Sequence, residues 1–323
     1  MIRLGLLSTA PINRQILAAA AGVDRVEVVA VASRDRGRAE AYAREHGIAR
    51  AHGSYDALLA DPEVDAVYVS LPNALHHEWT LHALEAGKHV LCEKPYSRRP
   101  ADVEEAFEAA STRGLVVMEA FMWRHNPQTK IVSELVAGGA LGKLQAVRAT
   151  FRFELGDPGN ARWLPELDGG SLMDVGCYCV SGVRLLAGEP VRVQGEQVLA
   201  ETGVDRSFHG TLRFENDVVA QIDCSFVSPR RQRLEAVGDE GSLLVEAPWR
   251  VDFGGEVLLA RNGESSAVDV PAADSYACQL ENFAGAVAGS EPPLLGRDDA
   301  LGQARTIEAL YRAADERRSV ELA

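Results

Sequence analysis

The chain of 323 residues contains no run of about 18 apolar residues, so nothing in it reads as a membrane span. Its opening, Met1 to Leu7, is too short an apolar stretch for a secretory leader and reads as a strand. Cysteine is scarce and badly spaced. Cys92, Cys177, Cys179, Cys224 and Cys278 make an odd number with no CxxC pair, which argues against a disulfide framework and a zinc knuckle. Positive charge is in deficit. Against 47 acidic residues stand 33 lysines and arginines, a net charge of −14. A field of that sign repels phosphate backbones and anionic lipid. No nucleic-acid or membrane partner is expected, and the cytoplasm is the expected compartment. Internal repeats and low-complexity tracts are missing too.

What is present fits a soluble enzyme. Hydrophobic residues make up 46% and charged residues 25%, and the length exceeds what one core usually serves, so two domains are expected. Up to residue 122 short apolar runs alternate with helical stretches: Ile2–Leu7, Val26–Val31, Ala66–Ser70, His89–Cys92 and Leu115–Met118. Nearly continuous apolar runs belong to strands covered on both faces, and the alternation predicts a doubly wound parallel (Rossmann) sheet. Asn73 can cap a helix running to Gly87, and Pro100 opens one that stops at Gly114. After Pro127 one helix (128–137) precedes strands of strict alternation, as in Val147, Ala149, Phe151, Phe153 and Leu155. The same pattern over 208–214 and 218–226 predicts an α+β domain built on a large, mostly antiparallel, open-faced sheet. Helices over 276–288 and 299–317 close the chain. The expected division is 1–122 for dinucleotide binding and 123–323 for substrate binding and oligomerisation.

Three segments carry chemistry. Gly5-Leu6-Leu7-Ser8-Thr9-Ala10 follows the first strand and resembles the dinucleotide turn GxGxx(G/A), with Leu7 where the middle glycine would stand. Ser33-Arg34 ends the second strand, where NAD-selective folds place a carboxylate on the ribose. A small hydroxyl followed by Arg34, with Arg38 one turn on, suits the 2′-phosphate of NADP instead, and NAD is the less expected cofactor. Asp35 is expected to cap the following helix rather than to face the ribose. Glu93-Lys94-Pro95 leaves the carboxyl end of the strand His89–Cys92, the edge at which open α/β sheets bind ligands. Two tempting features lead nowhere. His77-Glu78-Trp79-Thr80-Leu81-His82 has one residue too many for HExxH and puts its histidines roughly 140° apart on a helix. Cys177 and Cys179 have no further ligand cluster beside them and read as packing residues. No metal is expected.

Taken together, Glu93-Lys94-Pro95, Met118 to Arg124 and Gly169-Gly170-Ser171-Leu172-Met173-Asp174-Val175-Gly176-Cys177-Tyr178 resemble the glucose–fructose oxidoreductase/inositol dehydrogenase/rhizopine-catabolism (Gfo/Idh/MocA) family over essentially the whole length. The nearest branch holds NADP-dependent xylose 1-dehydrogenases and dimeric dihydrodiol dehydrogenases. The resemblance implies that Lys94 is the active-site lysine, that Lys94–Pro95 is a cis peptide, and that Tyr178 is the acid/base. It implies that Asp174, four residues earlier, contacts substrate or the catalytic pair. Leu71, Pro72, Asn73 and His76 would lie along the cofactor, and Phe121, Arg124, Arg162 and Trp163 along the substrate. Relatives assemble through the second-domain sheet, so a homodimer or tetramer through that sheet is expected.

The function so implied is hydride transfer between nicotinamide and a secondary or anomeric hydroxyl of a sugar or polyol, with an aldose 1-dehydrogenase giving the lactone as the leading case. Alternatives are a trans-dihydrodiol dehydrogenase, a deoxysugar ketoreductase, and, from another class, a dinucleotide-binding sugar sensor without turnover.

Overall fold

The apolar runs of the first 122 residues become strands that all point the same way. The computed structural model describes residues 1–322. In its first unit are β1 (Ile2–Leu7), α1 (Asn13–Ala20), β2 (Val26–Ala32), α2 (Arg36–His46), β3 (Arg50–His52), α3 (Tyr55–Leu59), β4 (Ala66–Val69), α4 (His76–Glu85), β5 (His89–Glu93), α5 (Pro100–Arg113) and β6 (Val117–Ala120). The six strands pair in parallel in the order β3-β2-β1-β4-β5-β6, the doubly wound arrangement expected, with its reversal of direction between β1 and β4. Leu4, Leu6, Ala30, Val31, Val67, Tyr68, Val90 and Leu91 are fully buried, which is why these runs lack alternation.

Local chemistry sets the boundaries. Asp35 and Ser54 accept backbone N–H bonds at the starts of α2 and α3, and Gly47 and Gly114 end α2 and α5 in the left-handed region. The last strand starts two residues later than the apolar run suggests. Leu115 still donates to Ala110 of the preceding helix, and the Val116 N–H is taken by the His89 ring at 3.0 Å. Asn73 does not cap α4 as expected. It opens a short 3-10 turn, and α4 begins at His76 without a side-chain cap.

The second unit begins after His125, three residues beyond the expected division. It holds α6 (Pro127–Ala137), β7 (Leu144–Glu154), α7 (Cys177–Ala187), β8 (Pro190–Leu199), β9 (Asp205–Phe214), β10 (Val219–Ser225), β11 (Val227–Gly238), β12 (Gly241–Val245), β13 (Val257–Arg261) and β14 (Glu264–Ala267). Helix α8 (Ser275–Val287), capped by Asp274, then returns to the first unit, where it packs on α1 and the Met122–His125 turn. The stretch 273–301 therefore belongs with the six-stranded sheet, not with the second unit, because its apolar face is covered there. The chain continues through α9 (Arg297–Glu316) and β15 (Val320–Glu321).

Nine strands pair in the order β14-β13-β12-β11-β7-β10-β9-β8-β15. All neighbours are antiparallel except β7 and β10. The predicted alternation holds: Val147, Ala149 and Phe151 are buried, as are Phe208, Leu212, Phe214, Ala220, Ile222 and Cys224, while Arg148, Thr211 and Gln221 on the other face are exposed or partly so. Helix α9 comes close to the apolar face because two glycines stand opposite each other, Gly195 on β8 and Gly210 on β9. A Cβ at Gly195 would lie 2.8 Å from the Leu310 carbonyl oxygen and 2.7 Å from the Phe208 ring.

That approach gives a test. Gly195→Ala should lower stability by about 1–3 kcal/mol through overpacking, read as a lower thermal midpoint with an unchanged far-UV circular dichroism spectrum.

Candidate active site

In the first unit every loop of interest leaves the carboxyl end of a strand. The turn after β1 is organised by Ser8, whose φ of 143° lies where L side chains are rare. Its hydroxyl lies 2.8 Å from Ser70 Oγ, donates to the Ser70 carbonyl at 3.1 Å, and accepts from the Ala10 N–H at 3.0 Å; Asn13 donates to the Ser8 carbonyl at 2.7 Å. The backbone role of a middle glycine therefore falls on Ser8 and not on Leu7, which ends β1 fully buried. Thr9 and Ala10 are half-exposed at the mouth of the turn. Gly5 answers to packing. A Cβ there would stand 2.8 Å from Leu58 and 3.1 Å from Val64, so its absence admits α3 against the sheet.

At the end of β2, Ser33 is buried with its N–H on the His52 carbonyl. The Asp35 carboxylate accepts the Arg38 N–H at 2.7 Å and so points into α2, as expected. Arg34 and Arg38 are left exposed. Both stand by the Tyr55 phenol, whose pKa burial raises while the two guanidinium groups oppose the rise; Arg34 also bonds to it. Tyr55 is held edge-on against Trp79 at 4.9 Å. Tyr55 was not foreseen, since a lone tyrosine opening a five-residue helix gives no pattern.

The ends of β4 and β5 are joined by His76. Its ring is fully buried, with Nδ1 2.9 Å from the Pro95 carbonyl and Nε2 2.8 Å from that of Leu71. Burial lowers its basicity against the pull of those carbonyls, and the Lys94 ammonium lowers it further. His76, expected along the cofactor, ties these two loops together through both ring nitrogens. The Lys94–Pro95 peptide is cis, as the resemblance implied. Glu93 accepts from the Tyr68 phenol and from the Lys94 N–H, and Glu119 on β6 accepts the Tyr96 N–H at 2.8 Å. Beyond β6, Phe121 is buried edge-on to Trp123. Arg124 pairs with Asp299 at 3.0 Å and lies 5.8 Å from the Trp123 ring centre. Burial, and next the Arg124 charge, push the neighbouring His125 down to about 3. His77 reaches Tyr96 and Glu105 while His82 faces Trp79, so the near-zinc motif points in separate directions. Among the described residues no cluster of His, Cys, Asp and Glu is arranged to hold a metal.

In the second unit the paired glycines explain their own presence. Gly169 and Gly170 donate to the Leu164 and Arg162 carbonyls, and a Cβ on Gly169 would lie 2.4 Å from the Arg162 carbonyl oxygen. Folding that loop back so closely brings two expected residues together: Arg162 Nε stands 2.7 Å from Asp174 Oδ2. Leu172–Gly176 forms a π turn that runs directly into α7. Tyr178, in the first turn of α7, is buried with Phe151 edge-on at 5.3 Å and Trp249 at 6.0 Å. Trp163 packs edge-on against Phe226 at 5.2 Å. Cys177, Cys179 and Cys224 are buried around this turn, and burial pushes the Cys179 and Cys224 thiols well up. Trp249 and Phe151 were missed as neighbours of Tyr178. Phe151 was legible only as an inward strand position, and Trp249 stands in a loop with no periodicity.

Residues 7–121 match a family model described as an oxidoreductase family with an NAD-binding Rossmann fold, and residues 129–244 match the GFO/IDH/MocA C-terminal domain. A D-xylose 1-dehydrogenase (NADP(+)) from Haloferax volcanii is 39% identical over 98% of this chain and 99% of its own length. A trans-1,2-dihydrobenzene-1,2-diol dehydrogenase from Oryctolagus cuniculus is 37% identical over 69% of this chain and 68% of its own. The crystal structure of a 3-ketoreductase from Actinomadura kijaniata in complex with NADP and TDP-benzene superposes with a TM-score of 0.91 at 32% identity, covering 97% of each chain.

The Ser8 turn can be tested without any ligand. Ser8→Ala keeps the strained φ and loses the bridge to Ser70 and Ala10, and should cost about 1–2 kcal/mol in urea unfolding. Ser8→Gly, which relieves the strain, should cost less.

Proposed function

This chain belongs to the GFO/IDH/MocA oxidoreductase family, and from that premise we propose that it is an NADP-dependent dehydrogenase of a sugar-like alcohol, best exemplified by oxidation of an aldose at C1 to the lactone. The observation that carries this reading is the carboxyl edge of the parallel sheet. There the Ser8 turn after β1, Ser33 with Arg34 after β2, and Lys94 after β5 all leave strands of one parallel sheet on the same side.

The residues fit the dinucleotide. The half-exposed backbone from Ser8 to Ala10 lies at the sheet's switch point, where a pyrophosphate is bound. With Asp35 engaged by α2, no carboxylate at the end of β2 opposes a 2′-phosphate, and Arg34 offers a planar fork to its oxygens. Leu71, Pro72, Asn73, Glu93 and Pro95 complete the cofactor side in this reading, with His76 acting behind them. NADP when bound supplies the hydride acceptor. Tyr178 takes the hydroxyl proton. A free phenol, with pKa near 10, is a poor base at neutral pH, and Lys94 is the active-site lysine of this reading. Asp174, fixed by Arg162, orients the sugar hydroxyls, and Phe121, Arg124 and Trp163 belong to the substrate side.

We place the enzyme in the cytoplasm. Its five free cysteines suit a reducing compartment, and no helix among the described residues is long and apolar enough to cross a membrane. The open face of the nine-stranded sheet, which carries Arg148, Thr150, Arg152, Arg213, Gln221 and Asp223, is the proposed surface of a two-fold dimer, or of a tetramer built from it.

Four outcomes are expected. Absorbance at 340 nm should show turnover with NADP and one of a panel of aldoses or a trans-dihydrodiol, or with NADPH and a nucleotide-linked keto sugar, where a sensor would show none. Tyr178→Phe and Lys94→Ala should each lower kcat by about 10²-fold or more, with NADP affinity nearly unchanged in Tyr178→Phe. NADP should exceed NAD by at least about tenfold in kcat/KM, about 1.4 kcal/mol, and Ser33→Asp with Arg34→Ala should erase that preference. For assembly, light scattering at micromolar concentration should give a particle of at least twice 34.8 kDa.

A further inference from the structure

We propose that Asp205 is a positioning residue that sets the phase of Asp174 and Tyr178 by holding the π turn that carries the one and leads into the other; this rests on the dehydrogenase reading of those two side chains. Asp205 opens β9, far in sequence from the turn, and is 2% exposed. Its Oδ2 accepts the Ser171 hydroxyl at 2.6 Å and the Leu172 N–H at 2.8 Å. Its Oδ1 accepts the Tyr311 phenol, on α9, at 2.8 Å. The carboxylate thus fastens three elements: the start of the π turn, the first residue of β9 and the C-terminal half of α9.

The approach is possible only because position 170 is glycine. Gly170 has a φ of +116°, and a Cβ there would lie 2.1 Å from Asp205 Oδ1. The second glycine of the motif therefore serves the carboxylate, as the first serves the Arg162 loop. Gly176, which ends the π turn, is closed in as tightly: a Cβ there would lie 2.7 Å from Cys224 Sγ and 2.8 Å from the Leu172 side chain.

The geometry explains why this matters for chemistry. A π turn carries one residue more per turn than an α-helix, so it rotates everything after it relative to everything before it. Asp174 lies inside the π turn and Tyr178 just beyond it. If the turn relaxed to regular α geometry, the angle between the two side chains would change although neither had moved along the chain. What resists relaxation at its first residues is the pair of donors, Ser171 O–H and Leu172 N–H, held on one buried oxygen. A buried carboxylate with three donors is also expensive to leave unsatisfied, so the arrangement is rigid.

Asp205→Ala removes the acceptor of all three hydrogen bonds. Asp205→Asn keeps an acceptor toward Ser171 and Leu172 and can turn its NH2 toward the Tyr311 oxygen. Tyr311→Phe removes only the α9 tie. The expected result is that Asp205→Ala lowers kcat at least tenfold with the KM for NADP within twofold of wild type, that Asp205→Asn restores most of kcat, and that Tyr311→Phe falls between them. Hydrogen exchange on folded protein should show protection lost at residues 171–176 in Asp205→Ala and kept in Asp205→Asn. Folded Asp205→Ala with wild-type kcat, or exchange rising evenly over the whole second unit, overturns the proposal. If Asp205→Ala does not fold, Tyr311→Phe decides: wild-type kcat and unchanged exchange at 171–176 reject it. Wild-type protein without turnover on any substrate would remove the dehydrogenase reading, and unchanged protection at 171–176 in Asp205→Ala would then reject the turn's dependence on Asp205 separately.

Discussion

Six parallel strands impose one constraint from which the first unit follows. When every strand runs the same way, every chain segment leaving a carboxyl end emerges on one edge, whatever its place in the sequence. Ser8, Ser33, Ser70, Lys94 and Phe121 are separated by up to 113 positions and still share that edge. The loops are then tied laterally, Ser8 to Ser70 and Leu71 to Pro95 through the His76 ring. Short loops with cross-ties lose little freedom when a ligand arrives, so the edge is preorganised rather than assembled on demand.

The second unit meets a different requirement, the satisfaction of buried charge. Asp205 and Asp174 both sit largely out of water, and each is supplied with partners by a loop that only glycine allows to approach. The two glycines at 169 and 170 look like a flexible hinge in the sequence. They are the opposite, two positions where side chains were excluded so that backbone and carboxylate could close on each other. Burial raises the pKa of Asp205 while its three donors oppose the rise, so its donors and its surroundings pull against one another.

Much of this was legible before any coordinates. Continuous apolar runs gave the parallel strands, alternation gave the second sheet, and the position of Asp35 directly ahead of a helical stretch foretold its capping role. What escaped reading was tertiary. The φ of Ser8 leaves no trace in composition, and Leu7 took the glycine position in the motif although Ser8 holds it in space. Asp205 is one acid among many at a strand start, and its partners lie 33 to 106 residues away. The stretch 273–301 follows the second sheet in sequence yet belongs to the first unit, because a helix goes where its apolar face is covered.

The cysteines have a consequence of another kind. Cys92 is sealed in the first unit and Cys177, Cys179 and Cys224 in the second, while Cys278 alone is partly open to solvent. Burial keeps the Cys92, Cys179 and Cys224 thiols protonated at neutral pH, and a protonated, inaccessible thiol does not react with an alkylating reagent. Each unit therefore carries its own built-in chemical label for opening. Alkylation of Cys92 would record exposure of one core and alkylation of Cys179 or Cys224 exposure of the other, so the order in which the two cores come apart is written into the mass of the peptides.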